Sequence, residues 1–253
     1  MLIEYKLKNH LIYYFEVIFL FIIIRRIHLL LFALVLVIAF MSYSVFTSSL
    51  PTTAPVATNT IVIDAGHGGM DGGAVGDTGT LEKDINLKVA MFLKDIAESD
   101  GKTVIMTRTD DTSLHTTDSN KIRNQKRSDL ENRKKTLNES GALAFISIHM
   151  NKFEQSKYKG AQVFYANNDK SKILGEKIQA RLISGLNDGN TRVAKTVPNE
   201  VYILKGTTAP AAVVECGFLS NAEEEALLTQ TEYQKKLATY MYEGFKDYIA
   251  QGK

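Results

Sequence analysis

The chain has 253 residues, 45% of them hydrophobic and 23% charged, with 30 basic side chains against 28 acidic ones. Those proportions exclude wholesale disorder, collagen-like repeats and a polytopic membrane protein. A single cysteine, Cys216, excludes an intrachain disulfide and a four-thiolate zinc site.

Residues 1–46 read as a membrane address. Residues 11–24 and 27–41 are almost wholly apolar, split by Arg25 and Arg26. Ile27 to Phe46 gives roughly 20 residues, which at about 1.5 Å each matches a hydrocarbon core of about 30 Å. The basic pair on its amino-terminal side places the later chain outside the cytoplasm by the positive-inside rule. A cleaved signal peptide and an uncleaved anchor both fit. The anchor is preferred because no clean small-x-small site directly follows the apolar run. Residues 47–59 are small, mostly polar, uncharged and proline-punctuated, which is linker composition. Lys6, Lys8, Arg25 and Arg26 against Glu4 and Glu16 account for the net charge, so residues 60–251, the expected folded domain, are near neutral. Bulk charge gives no reason to expect nucleic acid as a partner.

Strands and helices then alternate. Thr60–Asp64 is a β-branched run ending where glycines begin. Leu81–Ser99 carries apolar residues at 85, 89, 92, 93 and 96, a helical stripe. Thr103–Thr107 predicts a strand and Lys121–Ser140 a polar helix bearing Asp129, Asn132 and Arg133. Leu143–Ile148 and Ala161–Tyr165 predict strands, and Ser171–Leu186 an amphipathic helix closed by Asn187-Asp188-Gly189. Val201–Leu204 and Ala211–Val214 read as strands, and 221–229 and 231–250 as helices. The pattern implies an α/β fold: one domain with a mostly parallel, mixed central sheet flanked by helices on both faces. Sites in such sheets form at the carboxyl ends of strands, which singles out Asp64–Gly69, His149–Asn151 and Glu215–Gly217.

Beyond residue 59 there are three histidines. His67 and His149 lie at or just after strand ends, whereas His115 sits in a Thr/Asp/Ser-rich loop and is expected to be solvated. Glu82 opens the first helix after the glycine-rich loop 66–79, and Glu215 ends a strand, where a buried carboxylate is costly without a partner. Two imidazoles and a carboxylate, here His67, Glu82 and His149, are the ligand types of a catalytic zinc that keeps one position open for water. A further, unligated carboxylate is then needed to move a proton, and Glu215 is its candidate. Asn151 is the residue expected to bind substrate. The loop is not a dinucleotide fingerprint, because Asp71 stands where the third glycine belongs, and no Gly-Lys follows for a P-loop. Arg133 could meet an acidic substrate or pair with Asp129. Cys216 reads as a packed small hydrophobe. The zincin helix motif is absent, and His67 and Glu82 stand 15 positions apart, so the fold must bring them together.

Five segments carry a resemblance. Ile63-Asp-Ala-Gly-His-Gly-Gly-Met-Asp-Gly-Gly-Ala74, Leu81-Glu-Lys-Asp-Ile-Asn86, Thr107-Arg108, Ile146-Ser-Ile-His-Met-Asn151 and Val214-Glu-Cys-Gly-Phe-Leu-Ser-Asn221 resemble, in order, the motifs of the zinc-dependent N-acetylmuramoyl-L-alanine amidases of the amidase-3 family. The resemblance covers about residues 60–250. It implies one zinc ion held by His67, Glu82 and His149, with Glu215 catalytic. Cys216 departs from the Val or Thr-like residue usual there. The length, the amino-terminal segment, the absence of a wall-binding repeat and Thr191-Arg192-x-Ala-Lys195 resemble the germination-specific spore-cortex branch. That branch implies cleavage of the amide between N-acetylmuramic acid and L-alanine in peptidoglycan, as a step towards muramic-δ-lactam, on the exocytoplasmic side of the membrane.

Lys152–Lys159 is too short for the site-blocking helix that some members insert, so any restraint falls to an activating or localising protein partner, metal occupancy or timing of expression. Three other classes stay open on residues alone. Glu82 and Glu215 could be the carboxylate pair of a glycosidase. A zinc carboxypeptidase acting on the stem peptide shares the metal chemistry. The domain could also bind wall without catalysis.

Overall fold

The computed structural model describes residues 21, 23–29, 31–38, 59–198 and 201–251. The chain divides into two compact units, residues 1–53 and 54–253. Within the first, described residues between 21 and 38 are helical, with Phe21, Leu29, Phe32 and Leu36 exposed. Among the described residues no helix is long and apolar enough to cross a membrane. Much of the span expected over Ile27–Phe46, and residues 47–58 of the linker, lie outside the described residues.

The second unit is built on six strands: β1 (Thr60–Ala65), β2 (Thr103–Met106), β3 (Ala144–Asn151), β4 (Gln162–Tyr165), β5 (Lys195–Thr196) and β6 (Ala211–Phe218), in the order β2-β1-β3-β6-β4-β5. β2, β1, β3 and β6 are mutually parallel, β4 is antiparallel to β6, and β5 is parallel to β4. The sheet is therefore mixed, as expected. The helices are α1 (Glu82–Ser99), α2 (Ile122–Glu139), α3 (Asp169–Leu186), α4 (Ala222–Leu228) and α5 (Thr231–Gln251).

Alternation along the strands sorts residues between two faces. Ile61, Ile63, Ile146, Ile148, Val214 and Cys216 point to the face covered by α1, α3 and α5, packing on Val89, Leu93, Leu174, Ile178, Leu237 and Met241. Val62, Phe145 and Val213 point to the other face, covered by Leu137 of α2 and by Ile203 and Leu204. Asp64, Ser147, His149 and Glu215 share the parity of this second set. One face is thus a three-helix apolar layer, and the other turns polar towards the strand ends.

Two strand expectations need correction. Val201–Leu204 is no strand: Tyr202–Leu204 forms a 3-10 turn closed by Lys205 N–H donating to Tyr202 O. Ile203 and Leu204 are buried on the α2 face while Tyr202 is exposed, and so short an apolar run looks alike in either conformation. β5 was not expected, because two exposed residues carry no periodicity. β3 and β6 also run to Asn151 and Phe218, past the apolar stretches that mark them in sequence, so His149 and Glu215 lie within strands.

α3 and α5 cross closely at Gly244. A Cβ there would stand 2.5 Å from Ile178 Cα, a backbone atom that cannot swing aside. Gly244→Ala is expected to lower unfolding stability by about 1–3 kcal/mol through overpacking, read from urea denaturation midpoints.

Candidate metal centre

Adjacent strand ends bring the site together. The loop leaving β1 carries His67, β3 carries His149, and β6 carries Glu215 as the register partner of His149. Glu82 arrives from the opposite face. Helix α1 packs on the apolar layer, but its first residue reaches across the strand ends, where its Oε1 accepts Met150 N–H at 3.1 Å and its Oε2 accepts Ala74 N–H at 2.8 Å. A glycine at 66 is needed for this convergence, since a Cβ there would lie 2.3 Å from the His149 ring.

Potential ligand atoms of His67, Glu82 and His149 all lie within 4.8 Å of one another. His67 Nε2 is 3.2 Å and His149 Nδ1 3.0 Å from the same oxygen, Glu82 Oε1. The rings meet edge-on, with centroids 5.0 Å apart. Donors about 2.0–2.1 Å from a tetrahedral zinc stand roughly 3.3 Å apart, so this donor set fits the ion in both chemistry and spacing. Glu82 is buried, and burial alone would raise its pKa, but hydrogen bonds from His149 and His67 hold it well below the usual carboxylate range.

His67 has a left-handed backbone, φ 62°, rare for a residue with a side chain. Its surroundings fix it there. Its carbonyl accepts from Arg133 Nη2 at 2.6 Å, and its Nδ1–H donates to Asp71 Oδ2 at 2.9 Å, which directs Nε2 at Glu82. Burial works against charging this imidazole. Hydrogen bonds to Asp71 and Glu82 outweigh it and lift the pKa to about 9 in the metal-free chain. Asp71 is in turn held by Lys126 Nζ at 2.7 Å.

Beneath the triad lies a buried ion network. Asp64 accepts from Arg133 Nη1, from Thr107 Oγ1 at 2.7 Å and from Ser147 Oγ at 2.5 Å. Burial would raise the Asp64 pKa, but the guanidinium and the Ser147 hydroxyl bring it below the ordinary value. Arg133 also donates to Asp129 Oδ2 at 2.6 Å and to Ala65 O at 2.8 Å. Arg108 donates to the carbonyls of Ala65, Gly66 and Lys83 at 2.9, 3.0 and 2.8 Å. The Arg133 question is settled by this network: it pairs with Asp129, and with Asp64 as well.

Glu215 stands apart from these pairings. Its Oε2 is buried with no hydrogen-bond partner among the described residues. Desolvation raises its pKa to about 7, offset in part by His149. It lines a cleft of about 320 Å3 together with His67, His149 and Asp71, whose farther wall is Leu130, Tyr202 and Ile203. A carboxyl group with a free oxygen, poised near neutrality beside two imidazoles, is suited to exchanging a proton with water in that cleft.

The residues expected at the site from sequence are placed as follows. His67, Glu82 and His149 converge, with Glu215 beside them. Asn151 ends β3, its carbonyl accepts from Leu219 N–H at 2.8 Å, and it is not among the residues lining the cleft. His115 is half-buried rather than solvated, with Nδ1 2.9 Å from Ser113 Oγ, and takes no part in the triad. Cys216 points into the apolar layer, fully buried, as expected of a packed hydrophobe. Lys152–Lys159 forms only bends and turns. Sequence reading missed Asp71 as the partner of His67, although its position four residues on was a usable signal. It also missed Asp64 and Arg108 as supports of the loop.

A family model described as N-acetylmuramoyl-L-alanine amidase matches residues 61–247. The germination-specific N-acetylmuramoyl-L-alanine amidase of Bacillus subtilis (strain 168) is 38% identical over 206 residues, covering 79% of this chain and 84% of that protein. The CwlD amidase of Clostridioides difficile, solved in complex with the GerS lipoprotein, superposes with a TM-score of 0.73 at 44% identity, covering 76% of this chain and 99% of that one. An N-acetylmuramoyl-L-alanine amidase of Clostridium difficile 630 gives a TM-score of 0.66 at 29% identity, covering 77% and 98%. With the family model matching residues 61–247, well over half of the chain, the chain belongs to the N-acetylmuramoyl-L-alanine amidase family.

Proposed function

We propose that the enzyme is a zinc-dependent amidase that cleaves the bond between N-acetylmuramic acid and the L-alanine of the peptidoglycan stem. Its place is the spore cortex, as a step towards muramic-δ-lactam. The observation that carries this reading is the Glu215 oxygen, unpartnered among the described residues, beside three ligand atoms within 4.8 Å of one another. His67, Glu82 and His149 would hold the ion. Zinc bound there supplies Lewis acidity towards the amide carbonyl and acidifies water.

The chain's own groups do the rest. Asp71 keeps the His67 tautomer with Nε2 directed inward. Glu82, fixed by two backbone N–H groups, stays ionised. Glu215, as carboxylate, takes the proton of the attacking water on Oε2 and returns it to the departing alanine nitrogen. A group near neutrality serves both transfers, as base and then as acid. Asn151 is kept as a proposed contact for the substrate's outer part, and residues 60–251 as the catalytic domain. The amino-terminal segment is proposed to hold this domain on the outer side of the membrane, by an anchor or through a cleaved signal. The short 152–159 segment leaves control to a protein partner, metal supply or expression. The GerS complex of the Clostridioides difficile relative supports the partner.

The decisive test is digestion of purified peptidoglycan, with chelator and with zinc restored, followed by mass spectrometry of the products. A freed intact stem beginning at L-alanine, lost with chelator and regained with zinc, is expected. Cut glycan strands insensitive to chelator would mean a glycosidase, and loss of terminal stem residues a carboxypeptidase.

Glu215→Gln is expected to keep its zinc, by metal analysis, while turnover falls about 10²–10⁴-fold. The same variant reports on the buried carboxyl. The folded metal-free chain holds the Glu215 proton up to about pH 7, whereas the unfolded chain loses it near the ordinary carboxyl value. The parent's stability is therefore eroded as pH rises between these values, and the loss levels off above them. Metal-free Glu215→Gln should match the parent near pH 4 and exceed it at pH 8 in urea midpoint. Asp71→Ala, which frees the His67 ring, should weaken zinc binding about 10–100-fold in a chelator competition.

A further inference from the structure

A second pocket, of about 330 Å3, lies between Lys157–Gly160 and the turn Asp188–Arg192. It opens at the same strand-end side of the sheet as the metal triad. β4 runs antiparallel to β6, so β4 begins where β6 ends, and Gln162 is the register partner of Glu215. Three cations, Lys157, Lys159 and Arg192, line the pocket with one acid, Asp188.

The hydrogen bonds and ring contact that hold Arg192 in place come from neutral groups. Its guanidinium lies over the Phe218 ring, 4.9 Å from the centroid. Nε donates to Lys159 O at 3.0 Å and Nη1 to Gln162 Oε1 at 3.4 Å, while Nη2 has no partner among the described residues. Lys157 Nζ lies over the Tyr158 ring. Asp188 Oδ1 accepts Asn190 N–H, and Glu224, which also feels the Arg192 charge, accepts the N–H groups of Gly160 and Phe218, so neither acid forms an ion pair with Arg192 among the described residues. Three cations against one acid along the pocket favour an anionic ligand, and a guanidinium already oriented loses little freedom when it grips a carboxylate.

We propose that this pocket binds a carboxylate of the peptidoglycan stem peptide, with Arg192 as the gripping fork and Lys157 and Lys159 as surrounding charge. The assignment rests on the amidase reading above. The distance is suitable. From β3 to β4 is two strand spacings, about 10 Å, and an extended peptide covers about 3.3–3.6 Å per residue. A carboxylate on roughly the third stem residue, or at the end of a short stem, reaches the pocket while the first residue's amide lies at the triad.

The test compares purified muropeptides bearing free stem carboxylates with the same material after those carboxylates are converted to amides. Arg192→Met is expected to raise KM about tenfold on the free-acid substrate, with kcat less affected. On the amidated substrate it should change KM little, because the parent enzyme has already lost the contact. Arg192→Lys should recover part of the free-acid KM. The exposed double variant Lys157→Gln/Lys159→Gln should show a smaller preference loss that fades at high salt, and it carries the comparison if Arg192→Met fails to fold. Equal effects on both substrates, or no effect on either, overturn the proposal. Failure of the amidase reading looks different: the parent enzyme would release no stem from either substrate. In that case calorimetric binding of the isolated free-acid stem peptide decides the pocket, which is overturned if the parent and Arg192→Met bind it equally.

Discussion

The buried pairing of Asp64 with Arg133 is the contact on which the rest of the site depends. Asp64 sits at the end of β1, fully buried, and it is affordable there only because a guanidinium and two hydroxyls surround it. Removing one partner of such a buried pair leaves an uncompensated charge, typically at about 3–5 kcal/mol. The same guanidinium reaches on to the carbonyls of Ala65 and His67. One side chain from α2 therefore neutralises the strand-end acid and sets the path of the loop that turns His67 inward. Arg108 braces the neighbouring carbonyls from the β2 side.

The site's electrostatics follow from which groups have partners. Glu82 and Asp71 share their charge with imidazoles, backbone N–H groups and Lys126, so both stay ionised although partly or wholly removed from water. Glu215 lies one strand away, and its buried Oε2 has no hydrogen-bond partner among the described residues, so desolvation outweighs the nearby imidazoles and its pKa climbs towards neutrality. Two carboxylates a short distance apart thereby acquire opposite tendencies. One suits holding a cation, and the other suits exchanging a proton.

Much of this was legible in the chain. The β-branched run at Thr60–Asp64, the helical stripe from Ile85 to Ile96 and the apolar stretches around Ile146 and Val213 mark β1, α1, β3 and β6, because burial on one or both faces imposes those periods. His67, Glu82, His149 and Glu215 were visible as polar residues stranded at the ends of apolar runs. Less was legible where a residue's role depends on a partner remote in sequence. Arg133 meets Asp64 across 69 positions, and although its spacing from Asp129 on α2 offered that pairing, nothing in the polar pattern of α2 points to Asp64. The 3-10 turn at Tyr202–Leu204 imitates a strand because an apolar run of three residues, two of them buried, is too short to distinguish the two periods.

By itself the sequence determined the alternation of strands and helices, the near-neutral folded part and the four residue types that a metal amidase needs. Those are local properties, written in hydrophobic period and residue chemistry. The tertiary structure alone decided that β4 runs against β6, that Glu82 crosses from the α1 face to meet two imidazoles, and that Glu215 Oε2 has no hydrogen-bond partner among the described residues. These are matters of distance between residues far apart along the chain, set by how the sheet pairs and how its two faces are covered.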